Sequence, residues 1–529
     1  MITEQELYDK VSPIINGLAW PLPIPKEPWV IRQQRRLAFR NEKTLYKRTC
    51  DLSGRPLIST YAPDSPFKVY GQEEFWSDQW DARTYGRDFD FSRPFFEQFA
   101  ELMKVVPRLA LVNKQSENSE YCNYSFANKN CYLLFGSHYE EDCMYGRYST
   151  KNKNCIDTFW IYGCELCYEC TFSKNCHRGI YLDHCQDSSD CLFSMDLKGC
   201  EHCIFSFGLR HKKYHILNKP YSKEDYEAYV EKLQLGSYEH WQAAIKMWKD
   251  HKRDNAIFRA QYQTNCENCE GTEHQNSKDL INCFACSNCE QCAHGFQMDE
   301  TYFSIDNSHM GYDRCELCNN CIGCSGIYNC ISCDSCWQDN NLMYCNLCFS
   351  SNNCFGSIGM RRNEFCILNK QYTKEEYEAL VPKIIEHMQK TGEWGQFFPI
   401  QISPYAYNES TAQEFCPITK EEALSKGWRW REEELEKPSG ASGDQVIICE
   451  LTQKPFRMLP KELEFYKQLG LPLPRRHPDQ RVKDRIELPS FMQRYHRPCE
   501  KTGKIVQTIY SPEIAKHIYS EEAYLGEIY

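Results

Sequence analysis

Cysteines recur along this chain at multiples of three. Twelve lie between Cys122 and Cys203, and each of the eleven gaps between them is a multiple of three. Eleven more, from Cys315 to Cys366, keep the rule over ten gaps. A strand alternates every two residues and a helix every 3.6, so neither supplies this period. Isolated metal knuckles explain the short steps but do not hold gaps of 9 and 12 in phase. A tight solenoid does, because short strands and corners turn one residue in three inward. A longer step overlies the first: Cys122, Cys143, Cys164 and Cys185 are 21 apart, as are Cys324, Cys345 and Cys366. A coil of about 21 residues stacked at about 4.8 Å predicts roughly four or five coils per array. Asn tolerates a left-handed backbone, which puts Asn128, Asn130, Asn152, Asn154 and Asn175 at corners.

The chain has 33 cysteines, 29 of them between Cys122 and Cys366; Cys50, Cys416, Cys449 and Cys499 lie outside. In a secreted chain they would form a disulfide framework. The start, MITEQELYDK, is polar and acidic with no apolar signal core, and no run of eighteen apolar residues exists. The expectation is a cytoplasmic protein, off the membrane, with its thiols reduced. Three readings of the thiols stand side by side. They line a structural core; they bind zinc or another thiophilic metal; or they pair as disulfides. The densest metal candidates are Cys266 and Cys269, then Cys283, Cys286, Cys289 and Cys292, then Cys315, Cys318, Cys321 and Cys324 in the run CELCNNCIGC.

The chain is internally duplicated twice. GLRHKKYHILNKPYSKEDYEAYVEKL (208–233) matches GMRRNEFCILNKQYTKEEYEALVPKI (359–384) at an offset of 151, without gaps. Each copy predicts a short strand and then a helix that closes the array. Thr373 with Glu376 forms a capping box, and Ser222 with Asp225 a weaker one. The segment 239–262 is expected to be a further helix joining the arrays. Residues 22–76 match 471–525 at an offset of 449. The stretch 437–444, KPSGASGD, is expected to be a flexible loop. The domains are then an N-terminal module (1–108), a first array (117–219), capping and linking helices (220–262), a second array (263–370), a capping helix (371–395) and C-terminal modules (396–529).

The matched ends have zinc-ribbon spacing with most ligands missing. Cys50 and Ser53 are followed by seventeen residues and then Gly71 and Glu74; Cys499 and Thr502 by seventeen and then Ser520 and Ala523. Cys449 and Thr452, with His477 further on, resemble domains expected to bind zinc whose later knuckle reads CPxCR, and Cys416-Pro-Ile-Thr419 is another half-knuckle. With its NKNCYL and CELCYEC arrays, its ILNK caps and these ends, the chain resembles uncharacterised cysteine-rich, zinc-ribbon-like proteins predicted from candidate-phyla bacterial genomes. The resemblance implies a zinc-ribbon-like architecture and no established activity. The chain departs from that pattern by lacking the ribbon ligands at those positions.

No phosphate loop, dinucleotide fingerprint, nucleophile elbow or HExxH helix occurs. His184, His202 and His294 lie close to cysteines, but the many equivalent thiols mark none as a nucleophile. Net charge is −11, which argues against a wholesale nucleic-acid coat. Two basic stretches, 30–48 and 475–497, could touch phosphate backbones through Arg35, Arg36, Arg481 and Arg485. The expected fold is mainly β with helical caps: two cysteine-rich β-solenoid-like repeat arrays flanked by degenerate zinc-ribbon-like modules. The expected role is a non-catalytic structural or protein-interaction scaffold, with zinc as the one cofactor to test and an unknown protein as partner. The alternatives are a nucleic-acid-associated protein using the two arms, and a thiol oxidoreductase.

Overall fold

The computed structural model describes residues 2–308, 313–432 and 445–528. The stretch 437–444, expected as a loop, lies outside them. Among the described residues the fold is mixed α/β rather than mainly β: helix takes nearly as large a share as strand, and the strands form many short sheets with no closed barrel.

Residues twelve apart pair in parallel through the first array, from Asn113 with Ser125 to Ile204 with Ile216. Each bridge carries two backbone hydrogen bonds. Phe135 donates to the Gly146 carbonyl, and Tyr148 donates to the Phe135 carbonyl, both at 3.0 Å. The coil is therefore twelve residues and not twenty-one. The 104 residues from Asn113 to Ile216 make between eight and nine coils rather than four or five.

A three-residue unit builds this coil. The first residue points inward and is buried, the second pairs with its neighbours twelve away, and the third turns the chain with a positive φ. Tyr124, Ala127, Asn130 and Leu133 have φ of 50°, 52°, 54° and 51°. Four units close one coil, so every third residue faces the axis and the cysteine period of three follows. The 21-residue recurrence is one coil plus three sides. Asn130, Asn154 and Asn175 do sit at left-handed corners. Asn128 and Asn152 instead point inward, at 1% and 2% exposure.

The second array varies its coil length. Gln263 pairs with His274, eleven residues on; Gly271 pairs with Cys283, twelve on; Thr301 pairs with Cys315, fourteen on; later pairs return to twelve. These two irregular coils are why the period of three breaks between Cys269 and Cys283 and again between Cys292 and Cys315.

Both arrays end alike. The last parallel strand, Lys213–Ile216 or Glu364–Ile367, meets an antiparallel one, Lys219–Pro220 or Lys370–Gln371. Asn218 and Asn369 then stand in for the missing next coil. The Asn369 amide accepts from the Ile358 N–H (2.7 Å) and donates to the Ile358 carbonyl (2.8 Å); Asn218 does the same for Phe207. An open sheet edge is thereby satisfied. Asn369→Ala leaves both Ile358 groups orphaned in a fully buried place and is expected to cost about 2 kcal/mol. A urea midpoint unchanged from wild type would sink that account. Helices follow, Lys223–Lys232 capped by Ser222 and Lys374–Thr391 opened by the Thr373–Glu376 capping box. The linking helix is Tyr238–Asn255, shorter than expected, because Ile257–Arg259 leaves it to pair with His517–Tyr519.

The end modules are crossed over. The N-terminal module, with the helix Phe95–Val105, shares one core with the second array; Phe95 packs on Phe355 and Phe75 on Phe349. The linking helix and the C-terminal modules share a core with the first array, where Tyr168 meets Trp241 and Tyr466. Among the described residues no helix is long and apolar enough to cross a membrane.

Candidate functional site: thiol column, knuckles and buried arginines

Within the regular twelve-residue coils an inward residue spends its carbonyl on the ladder, but its own N–H finds no carbonyl there. The inward side chain one coil earlier supplies the acceptor. The Cys164 N–H donates to Asn152 Oδ1 (2.7 Å), Cys185 N–H to Ser173 Oγ (3.1 Å) and Cys176 N–H to Cys164 Sγ (3.4 Å). The same side chains donate to carbonyls two residues back and nine residues on. Cys321 Sγ lies 3.4 Å from both the Asn319 and the Cys330 carbonyl oxygen. A small side chain that both donates and accepts suits this place, which explains why cysteine, serine and asparagine fill it.

CELCNNCIGC is one full turn of this wall. Cys315, Cys318, Cys321 and Cys324 are four successive inward positions, all fully buried. Cys283, Cys286, Cys289 and Cys292 form another such turn, buried to 1% or less. Burial and donation to Cys321 push the Cys318 thiol well up. Cys266 and Cys269 differ: they stand half-exposed at the first, irregular coil of the second array. Cys269 donates to Cys266, which holds the Cys266 thiol down to about 6. All 33 cysteines are free. Among the described residues no three His, Cys, Asp or Glu side chains are placed to hold a metal ion. Most of the inward thiols donate to main-chain carbonyls, as Cys321 does.

The matched ends fold alike, and the region around Cys449 repeats them. Three antiparallel hairpins carry the knuckles: Tyr46–Thr49 with Pro56–Ser59, Gln445–Ile448 with Pro455–Met458, and Tyr495–Pro498 with Ile505–Thr508. In each, the cysteine N–H donates to the carbonyl five residues on: Cys50 to Arg55, Cys449 to Lys454, Cys499 to Lys504. The positions where a ribbon would carry further ligands now donate to the one sulfur. Gly71 N–H lies 3.4 Å from Cys50 Sγ, Thr452 N–H 3.4 Å from Cys449 Sγ, and Ser520 N–H 3.3 Å from Cys499 Sγ. Burial opposes ionisation, yet the donors around Cys499 hold its thiol down to about 6. His477 caps the helix Pro478–Arg485, its Nδ1 accepting the Asp479 N–H at 3.2 Å. One sulfur with hydroxyl and amide neighbours does not make a zinc ligand set. Cys416 is half-buried and packs against an apolar cluster that contains Phe284, Phe415 and Phe491.

Of the four arginines singled out in the basic stretches, three are turned inward. Arg36 is 0% and Arg481 5% exposed, Arg485 keeps 4% of its side chain exposed, and Arg35 pairs with Glu27 at 2.5 Å. A phosphate backbone cannot reach the first three in this fold. The duplication pairs them. Arg32 and Arg481 lie 449 apart, as do Arg36 and Arg485, on matched helices Trp29–Leu37 and Pro478–Arg485. Arg32 bonds Asp306 at 2.8 Å, and Arg481 bonds Asp157. Asp306 and Asp157 are themselves matched, 149 apart, the fourteen-residue coil adding the two residues that bring later positions to 151. Sequence reading missed Arg32, Asp306 and Asp157; the offset of 449 carried onto Arg481 was the signal that could have found Arg32.

One cluster joins the two arrays. His184 lies between Asp183 (2.7 Å) and Glu273 (2.9 Å) and stacks on Phe172 and Tyr262, with 3.8 Å between the His184 and Tyr262 ring centroids. Burial works against the imidazolium, but the two carboxylates outweigh it and lift His184 to about 10. The folded value exceeds the unfolded one near 6.5, so this stabilisation is complete below about pH 6.5, shrinks as pH rises, and is gone above about pH 10. Between pH 6.5 and 9 the loss is expected to be about 2–3 kcal/mol, and His184→Gln should flatten it. Chemical unfolding of both proteins at the two pH values checks this; equal slopes would refute it.

No family model matches the chain, and no curated protein matches it either.

Proposed function

We propose that the chain is a non-catalytic scaffold: two cysteine-lined β-solenoid-like rods, covered by degenerate zinc-ribbon-like modules, whose outer faces receive a protein partner. One observation carries this reading. Most inward thiols bond a carbonyl two residues back in their own coil, and many also reach the next coil, as Cys321 and Cys164 do, so the cysteines act as wall material. Stacked coils give long faces on a rigid frame, which is how repeat proteins present binding surfaces. The test is metal content by mass spectrometry on reduced protein, with thiol counts before and after unfolding. The expected result is no stoichiometric zinc, with Cys266, Cys269 and Cys416 the only thiols reacting in the folded state and all 33 after unfolding. Several zinc ions per chain, released together with the thiols, would overturn it.

A second reading rests on Cys266 and Cys269, the one half-exposed CxxC pair. The Cys266 thiolate attacks the disulfide of glutathione and expels one glutathione thiolate. Cys269 then displaces the second, leaving a Cys266–Cys269 disulfide and two reduced glutathiones. A glutathione redox titration with peptide mapping decides: no such disulfide at any ratio removes this reading.

A further inference from the structure

Arg36 and Arg485 hold matched places in the two halves, and their surroundings differ. Arg36 has its polar partners: Asn320 Oδ1 at 3.3 Å, Ser308 Oγ at 3.5 Å and Gln33 Oε1 at 2.5 Å. Around Arg485 the matched residues are Glu169, Phe159 and Val482. Glu169 Oε1 is 3.7 Å away, beyond hydrogen-bond reach, and none of the three guanidinium nitrogens has a hydrogen-bond acceptor among the described residues. Beside Arg485 lies a cavity of about 120 Å³ between the coil wall at Glu169 and Tyr181, the linking helix at Trp241 and Lys249, and the segment 472–485.

The cavity wall carries five cations and two acids. Four of the cations are engaged. Lys249 donates to the Asp484 carbonyl, Arg475 pairs with Glu239, Arg476 with Asp484 and Glu450, and Arg481 with Asp157. Arg481 keeps Nε and Nη2 unfilled, but of the five only Arg485 has no hydrogen bond from any guanidinium nitrogen among the described residues. A guanidinium buried without acceptors is costly, and its planar fork matches the oxygens of a tetrahedral anion. We propose that this cavity is a binding site for a phosphate-type oxyanion, with Arg485 as its principal donor. The volume admits such an anion and few further atoms. The occupant is therefore free phosphate or the terminal monoester of a small molecule entering past Arg475, which is 52% exposed at the rim.

Calorimetric titration of the full chain with inorganic phosphate and with phenyl phosphate tests the site. Saturable one-to-one binding is expected, weakened at least about tenfold by Arg485→Met. Lys246→Gln, on the exposed face of the linking helix, should leave it unchanged. Glu169→Gln removes the acid that faces Arg485 and should tighten binding several-fold, a gain that misfolding cannot imitate. Tighter binding of phosphate assigns the site to the free ion, and tighter binding of phenyl phosphate to a phosphorylated small molecule. No saturable binding of either up to about 10 mM, or equal affinity in wild type and Arg485→Met, would overturn the proposal and leave a cavity filled by water only.

Discussion

Asp157→Ala is expected to cost about 3–5 kcal/mol, because it strands the buried Arg481 guanidinium inside the protein. Asp157 is 0% and Arg481 5% exposed; besides that carboxylate the arginine has the Tyr466 hydroxyl at 3.0 Å and, more loosely, the Glu462 carboxylate at 3.9 Å. Removing both charges is a different experiment. The double substitution Asp157→Leu with Arg481→Met exchanges an ion pair for apolar contacts and should return to within about 1 kcal/mol of wild type. The matched Asp306→Ala should cost at least as much, since Arg32 (2.8 Å), Arg36 (3.4 Å) and the Tyr8 hydroxyl (3.0 Å) all converge on that carboxylate. Urea unfolding followed by far-ultraviolet circular dichroism reads all of these. A double variant as unstable as Asp157→Ala would show that the cost lies in the cavity and not in the stranded charge.

Gly271→Ala is expected to destabilise the second array by about 3 kcal/mol or more. Gly271 sits where the pairing register slips and the coil changes from eleven residues to twelve. Its φ is +119°, and an added methyl would stand 1.8 Å from the Cys283 carbonyl oxygen. That oxygen is backbone in the next coil and cannot step aside without breaking the ladder. Gly392→Ala is the useful comparison, since its φ of +75° is also left-handed but nothing lies within 4 Å. Only the ordinary left-handed penalty of about 1 kcal/mol applies there. Equal losses at the two positions would mean the ladder yields at Gly271.

The period of three was legible in the cysteines because every inward position is chemically alike. The same likeness hid the length of the coil. Nothing in Cys122, Cys143, Cys164 and Cys185 says whether 21 residues is one coil or one coil and three sides. Closure is set by the left-handed residues, and these include Tyr124, Leu133 and Trp160, whose side chains do not advertise such a backbone. Asn128 and Asn152 misled for the converse reason: asparagine suits a corner, and it also suits an inward place that needs a donor and an acceptor. The duplications were plain, and they placed the closing helices and matched the two ends of the chain to each other. What they did not show was the crossing, since an offset relates copies without saying which copy packs on which. The buried arginines were unreadable as such, because Arg481 and its Asp157 lie far apart in sequence and a basic stretch looks the same whether it faces water or a carboxylate.

The left-handed corner at every third residue also governs how the stack forms. A non-glycine corner costs about 1 kcal/mol, and each coil has four, so a lone coil is unfavourable. Only the bonds to a finished neighbour offset that cost, which makes initiation slow and growth quick, as in any one-dimensional assembly with a costly nucleus. Each added coil closes a loop of only about a dozen residues, a fast event with little entropy at stake. Growth also has a direction. An inward side chain accepts from the N–H twelve residues later and donates to a carbonyl nine residues later, so a completed coil presents the template for the one that follows it in the chain. Elongation would then run from the first coil toward Asn218 or Asn369, in the order in which the polypeptide is synthesised.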